Sequence, residues 1–304
     1  VNGSRHVIYT SIAVNGSRHV IYTSIAVNGS RHVIYTSIAV NGSRRRRRRR
    51  RHGLRFENPE NLETPQGTCF VLFTDTISDH LQPHGWEVIR HLRTDTTEHF
   101  STRAFSKLPK LLPTYLFADT PTFFKDTKMT LSRESPVAIF SLLEASDERQ
   151  FIGWAHPCTI QHDSSPAPCD AHKWIIQEAD AVVRAGRVAN AHALQAQARE
   201  YAKTLRSDDV YIDSALLVQR GAWRLFTEWS REMFKDPATD RDQLPFAHVF
   251  PLAMQHAEAL IIPYDAPSCK AMGAGVCHWW HTTGTGVRLQ RSSCVGFEDQ
   301  IFDG

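Results

Sequence analysis

The chain opens with one 13-residue unit written three times, at residues 1–13, 14–26 and 27–39, and the copies are identical at every position. Each unit carries the run HVIYTSIA, β-branched and aromatic like a strand, and the next residues, VNGS, form a turn signal. Such a unit permits two architectures: a stacked strand-and-turn array, or an ordinary domain in which one strand has been duplicated. Arrays normally use repeats of 20 residues or more, and a 13-residue unit buries little on its own. Their terminal units also diverge, because capping faces meet water. Identity along the whole unit therefore favours recent duplication. The third copy, from His32 to Ala39, is expected to be the first strand of the domain, with residues 1–31 outside its core.

An uninterrupted run of eight arginines follows at residues 44–51. Like charges in a row repel and stay solvated, so residues 44–66 are expected to form an Arg-rich, disordered loop. The alternative is a contact with phosphate, anionic lipid or another polyanion. The formal charge of +3 depends on this run: without it, 35 − 8 = 27 basic residues face 32 acidic ones. Nucleic-acid binding is not expected, since a nucleic-acid binder spreads its cations over a folded face.

A 41% hydrophobic content fits a globular domain. No apolar stretch reaches the 18 residues of a membrane-spanning helix, so no membrane anchor is visible in these residues. The first residue is Val1 rather than Met, which points to a fragment or a mispredicted gene start and leaves a preceding anchor or signal peptide open. Six cysteines are too sparse for a disulfide scaffold and leave the redox compartment open.

Beyond the arginines, TCFVLFTD at residues 68–75 is a short apolar run closing on an acid. That is the pattern of a buried parallel strand opening into a site. GWEVIRHL, PVAIFSLL and FIGWAHP read as further strands, and another apolar run ends at Asp119. Asp170 and Asn190 are placed to cap two helices, the first of which stops at Gly186. DVYIDSALLVQ reads as a buried strand, and AWRLFTEWSREMF puts Leu225, Phe226, Trp229 and Met233 on one helical face. Strands interleaved with helices predict an α/β domain with a mainly parallel sheet flanked by helices, over residues 32–265, followed by a C-terminal extension at 266–304.

The order of these segments resembles the TOD1/MUCI70 family of glycosyltransferase-like proteins over about residues 32–250. HVIYTSIA is similar to that family's first strand, and VLFTD with GWEV to its second strand and the segment after it. KLPKLLPTYLF and FFKDTKMTL are similar to its lysine-proline segment and its Asp-x-Lys strand. QEADAVVRAGRV, QAREYA, YIDSALLVQRG and DRDQLPFAHV come next, in the family's order. One departure stands out, because VNGSRRRRRRRR replaces the glycine-rich turn that succeeds the family's first strand. The resemblance implies a single GT-A-like, Rossmann-like nucleotide-sugar-binding domain that transfers a sugar from a nucleotide-sugar donor to a glycan or lipid-linked acceptor. It also implies a Golgi or secretory address. A plant member is assigned ceramidase activity, so a lipid amidase is one alternative. A non-catalytic glycan- or polyanion-binding pseudoenzyme is another.

A departing diphosphate needs positive charge or a metal beside it. On the donor side stand Asp75, Lys128, Arg241 and Thr36, together with Asp126 as a candidate ligand for Mn or Mg. Asp126 and Lys128 lie two apart on the expected strand, which points both to one face. Asp242 is the first candidate for the acceptor base, or alternatively for a group that binds the sugar, and an acid ahead of a helix also serves as a cap. His156 joins the acceptor side, with Gln243 and Glu178 in support. A competing constellation is His156, Cys158, His162, Cys169 and His172, which admits a zinc site, a Cys158–Cys169 disulfide or unlinked cysteines. Cys277, His278 and His281 repeat the zinc pattern more weakly, and the tryptophans between them suit sugar stacking or a core.

Overall fold

A computed structural model of the chain describes residues 9–14, 18–23, 32–38, 56–74, 84–90, 101–127, 131, 133, 135–155, 175–184, 186, 188, 190–205, 212–235, 239–255 and 257–262. The first two copies of the repeat supply strands β1 (Tyr9–Val14) and β2 (Arg18–Thr23), which pair antiparallel with each other in a two-stranded sheet. The third copy becomes β3 (His32–Ile38) and enters a different sheet. Its neighbours there are β4 (Thr68–Thr74) and β6 (Thr122–Lys125), both parallel to it. Val33 and Ile34 are wholly buried and Tyr35 nearly so, one reason that this β-branched and aromatic run suits a strand covered on both faces.

The larger sheet has seven strands in the order β5-β4-β3-β6-β8-β7-β9, completed by β5 (Glu87–Arg90), β7 (Arg149–Ala155), β8 (Ile212–Gln219) and β9 (Glu258–Ile262). β8 runs against both of its neighbours, and every other pairing in this sheet is parallel. The fold is thus α/β with a mostly parallel sheet flanked by helices, compatible with a Rossmann-like arrangement. From β3 the chain steps outward through β4 to β5, whereas the strands from β6 onward fill the other half. The direction of winding reverses between β3 and β6, and in open α/β sheets the crevice beyond the C-terminal ends of such a strand pair is where ligands bind.

One face of the sheet packs against helices α1 (Thr102–Leu111), α2 (Pro113–Phe117), α6 (Trp223–Lys235) and α7 (Gln243–Ala253). Tyr35 meets Phe73, Phe117 and Phe124 in that layer, and Trp229 packs on Phe246. The other face carries α3 (Ser135–Glu144), whose Ile139, Phe140 and Leu143 join Ile34, Leu72, Phe123 and Trp86. Helices α4 (Ile175–Arg184) and α5 (Ala191–Tyr201) form a third cluster with Leu244 and Ala247 of α7. Asn190 caps α5 through the amide of Ala193, as expected, whereas Asp170 lies outside the described residues.

Three expectations are corrected. PVAIFSLL is a helix, not a strand: Pro136, Ile139, Phe140 and Leu143 recur at helical spacing and bury one stripe. The apolar run toward Asp119 begins as helix α2, with Pro113 in the first turn, where its missing N–H is harmless. The Asp-x-Lys strand stops at Lys125, so Asp126 is the first residue beyond β6 rather than part of the strand.

Candidate functional site

The C-terminal edge between β3 and β6 is also the N-terminal edge of β8. Lys125 stands opposite Leu216 in that antiparallel pair, so Ser214 lies just beyond the end of β6. Two helices start at the same place. Ser101 caps α1 by accepting the amide of Ala104, and its hydroxyl donates to Asp240, which lies ahead of α7. Ser37, near the end of β3, donates to the carbonyl of Ser106 at 2.6 Å, fastening α1 to the strand.

Asp242 occupies the N-cap position of α7, yet its side chain makes no capping bond. Its Oδ2 accepts instead from the Lys110 ammonium, lies 3.3 Å from Lys107 Nζ and is 3.4 Å from Ser214 Oγ. Neighbouring groups lock this arrangement. Trp229 Nε1 donates to the Asp242 carbonyl at 2.9 Å, and Gln243 Oε1 accepts the Ser214 amide at 2.9 Å. Lys110 Nζ sits 5.2 Å from the centre of the Phe124 ring and 5.3 Å from that of Trp229, within cation–π range.

Burial alone would raise the Asp242 carboxyl, but Lys107, Lys110 and Arg241 hold it well below the usual carboxylate range. It is therefore ionised at neutral pH. Burial is also the largest influence on Lys110, and outweighs the attraction of Asp242, so the ammonium drops to about 8. The charge of Asp126 also reaches Lys110 and supports its protonated form, which brings the acid after β6 into the same electrostatic unit. The structure therefore links Asp126, Asp242 and, through Ser214, Gln243.

Arg241 and Glu178 meet elsewhere on the same loop. Arg241 Nη2 donates to Glu178 Oε1 at 3.0 Å, so the arginine placed on the donor side is engaged by a buried acid of α4. Its Nε is buried without a hydrogen-bond partner among the described residues. Thr36 is wholly buried, and its Oγ1 likewise has no partner among the described residues. Alternation along β3 puts Thr36 on the side of Ile34, opposite the Asp242 group, so it does not join that cluster. Asp75, Lys128 and His156 lie outside the described residues. So do the arginine run, Cys158, His162, Cys169, His172, Cys277, His278 and His281.

Asp242 does not suit the acceptor-base role expected of it. A carboxylate that is 5% exposed, ionised and shared by two lysines has little affinity for a further proton and little access to a substrate. Its geometry suits the placement of cations.

Sequence reasoning also missed the two α1 lysines and a second buried ion pair. Lys110 is buried although it lies off the apolar stripe of Phe105, Leu108 and Leu111, at i+3 from Lys107 and i+4 from Ser106, so helical periodicity left no signal for it. On the opposite face, Lys125 Nζ donates to Glu57 Oε2 at 2.7 Å, and Lys125 is wholly buried. Glu57 Oε1 also accepts the amide of Leu131 at 2.8 Å, and the Glu57 carbonyl accepts Trp86 Nε1 at 2.8 Å. A lysine closing the strand run TFFK was the available signal; its partner, 68 residues earlier, left none.

Among the described residues no group of three His, Cys, Asp or Glu side chains is arranged to hold a metal ion. No helix among them is long and apolar enough to cross a membrane. A scan against protein-family models finds no match for this chain, and a search of curated proteins finds none either.

Proposed function

We propose that the protein is a glycosyltransferase-like enzyme with a GT-A-like donor site, which transfers a sugar from a nucleoside-diphosphate sugar to a glycan or lipid-linked acceptor. One observation carries the reading: the β3/β6 reversal coincides with an ionised edge that joins Asp126, Asp242 and the α1 lysines. That edge is where open α/β sheets commonly bind ligands, which supports the reading, and the charges there suit a leaving group whose negative charge grows as the glycosidic bond breaks.

In this reading the nucleotide diphosphate lies across the ends of β3 and β6, with the sugar directed toward the start of α7. Ser37 and Ser101 hold α1 against the strand and the 240–242 loop, which fixes the helix that carries Lys107 and Lys110 at this edge. Asp126, the first residue past β6, fits the habit of Mg, which binds through one or two carboxylates together with substrate phosphates. Asp126 would hold the ion, and the ion would supply charge stabilisation to the leaving group. Asp242 keeps Lys107 and Lys110 in place and takes no proton.

The test is a thermal-shift screen of the full chain against UDP, GDP and their sugar conjugates, with and without manganese. A ligand that binds only the native state raises the melting temperature by mass action, so at least one nucleoside diphosphate should do so. If none shifts the transition at millimolar concentration, the donor-site reading is wrong.

A further inference from the structure

The two α1 lysines share one acid, which leaves them unequal. Lys110 is only 1% exposed and donates to Asp242, whereas the Lys107 side chain is 19% exposed at 3.3 Å from the same oxygen. A single carboxylate neutralises one ammonium, so the Lys107, Lys110 and Asp242 triad keeps one unit of positive charge. Lys110 is enclosed and engaged by Asp242, so Lys107 is the ammonium of the pair that a ligand can reach. Arg103 is one helical turn earlier, close to the start of α1, and its Nη1 is 3.7 Å from Asp240 Oδ1.

We propose that Lys107, with Arg103 beside it, is the diphosphate-binding element of this edge, and that Asp242 is the positioning residue that presents Lys107. This inference rests on the donor-site reading above and refines it by naming the group that meets the phosphates. Neither residue is in the set expected from the sequence. Lys107 stands on a fixed base because Ser101 and Ser106 anchor its helix to the 240–242 loop and to β3, and its side chain keeps 19% exposure beside Asp242. A diphosphate offers several strong acceptor oxygens, and charge-assisted bonds to them are short and strong.

The experiment is isothermal titration of the full chain with UDP, GDP and inorganic pyrophosphate in the presence of manganese. Lys107→Gln should weaken diphosphate binding at least tenfold and Arg103→Gln several-fold, whereas Lys107→Arg should retain most of the affinity. Lys203→Gln, on an exposed pair at the end of α5, controls for net charge and should leave binding unchanged. Urea melts check that each variant is folded. Nucleotide binding that is unaffected by Lys107→Gln overturns the inference and leaves the donor-site reading intact. Binding of pyrophosphate through Lys107, without binding of either nucleotide, supports the inference and overturns that reading. Absence of binding to all three probes overturns both.

A separate observation, the identity of the three opening copies, carries a second inference. We infer that the central strand position is redundantly encoded: when the third copy cannot serve as β3, an earlier copy takes its place with the same side chains. The exchange gives up the β1–β2 pairing and lengthens the connection to β4 from 29 residues (39–67) to 42 (26–67) or 55 (13–67). Loop closure disfavours these by factors of only about two and three.

Tyr35, which is 1% exposed, corresponds to Tyr22 and Tyr9 in the earlier copies. Tyr35→Asp in the full chain should keep a cooperative thermal transition, lowered by a few degrees. The triple variant Tyr9→Asp, Tyr22→Asp, Tyr35→Asp should show none. Loss of the fold in Tyr35→Asp alone overturns the inference, as does a cooperative transition in the triple variant.

Discussion

Replacing Asp242 by alanine tests the electrostatic account of the α1–α7 junction most directly. Lys110 is 1% exposed and would keep two aromatic faces but lose its carboxylate. Breaking a buried pair by removing one partner typically costs about 3–5 kcal/mol, because the remaining charge stays desolvated. A ceiling applies, since Lys110 can release its proton instead. Deprotonating a lysine of ordinary pKa about 10.4 at pH 7 costs roughly 4.6 kcal/mol, so this route alone cannot exceed that value. Urea denaturation of Asp242→Ala at pH 7 should therefore show a loss of about 3–5 kcal/mol. The loss should shrink as the pH rises to 9, where the deprotonated form costs less. Adding Lys110→Met should return at least about 2 kcal/mol, because an apolar side chain of similar length suits the Phe124 and Trp229 faces. A loss below about 1 kcal/mol, with no change between pH 7 and 9 and no recovery in the double variant, would refute the reasoning.

Glu57→Ala should cost about 3 kcal/mol or more in a urea melt, since it strands wholly buried Lys125 and removes the acceptor of the Leu131 amide. Gly85 has φ +74 and a Cβ there would come within 2.8 Å of Pro59 Cγ, so Gly85→Ala should lower the melting temperature through both strain and overlap. The pH dependence has two signs. The Lys110 pKa falls on folding, so the unfolded chain holds more protons between about pH 8 and 10.5, and this group makes stability rise with pH across that window. Asp242 works in acid: its folded pKa is depressed, so its contribution is present above the unfolded carboxylate pKa and is lost as pH falls below it. Urea melts from pH 2 to 10 should show the acid loss disappear in Asp242→Asn and the alkaline rise disappear in Lys110→Met.

Sequence patterns reveal those parts of the fold that local chemistry dictates. β3 and β4 are rich in β-branched and aromatic residues, β8 carries the apolar run ALLV, and the helix from Trp223 buries the stripe that its periodicity predicts. PVAIFSLL misleads because an eight-residue apolar run satisfies both periods. The preceding serine, the proline at the second helical position and the 3–4 spacing of Pro136, Ile139, Phe140 and Leu143 are the deciding signals. The site is less legible. Asp126, Asp242, Gln243 and Arg241 stand out by residue type, but the partners that define what they do are distant in sequence. Lys110 and Asp242 are 132 residues apart, and Lys125 and Glu57 are 68 apart. Residue type alone makes Asp242 a base; only its burial between two lysines turns it into an anchor.

Counting charges at this edge shows what a diphosphate would meet. Among the described residues, Arg103, Lys107, Lys110 and Arg241 lie close to Asp240, Asp242, Glu178 and, through its field at Lys110, Asp126. Four cations against four acids leave this part of the edge neutral. A diphosphate cannot be held strongly by a neutral edge unless it displaces an acid from a cation or brings a cation with it. Asp240, Asp242 and Glu178 are buried and hydrogen-bonded, which makes displacement costly at those positions. Asp126 is the acid best placed to change partner, because it sits just past the strand end and is only partly buried. A divalent cation bound there would offset the Asp126 charge and reverse the sign of this edge. Diphosphate affinity measured by titration should therefore rise steeply with manganese in the parent chain and lose that dependence in Asp126→Asn. Equal affinity with and without the ion would show that Lys107 and Arg103 suffice.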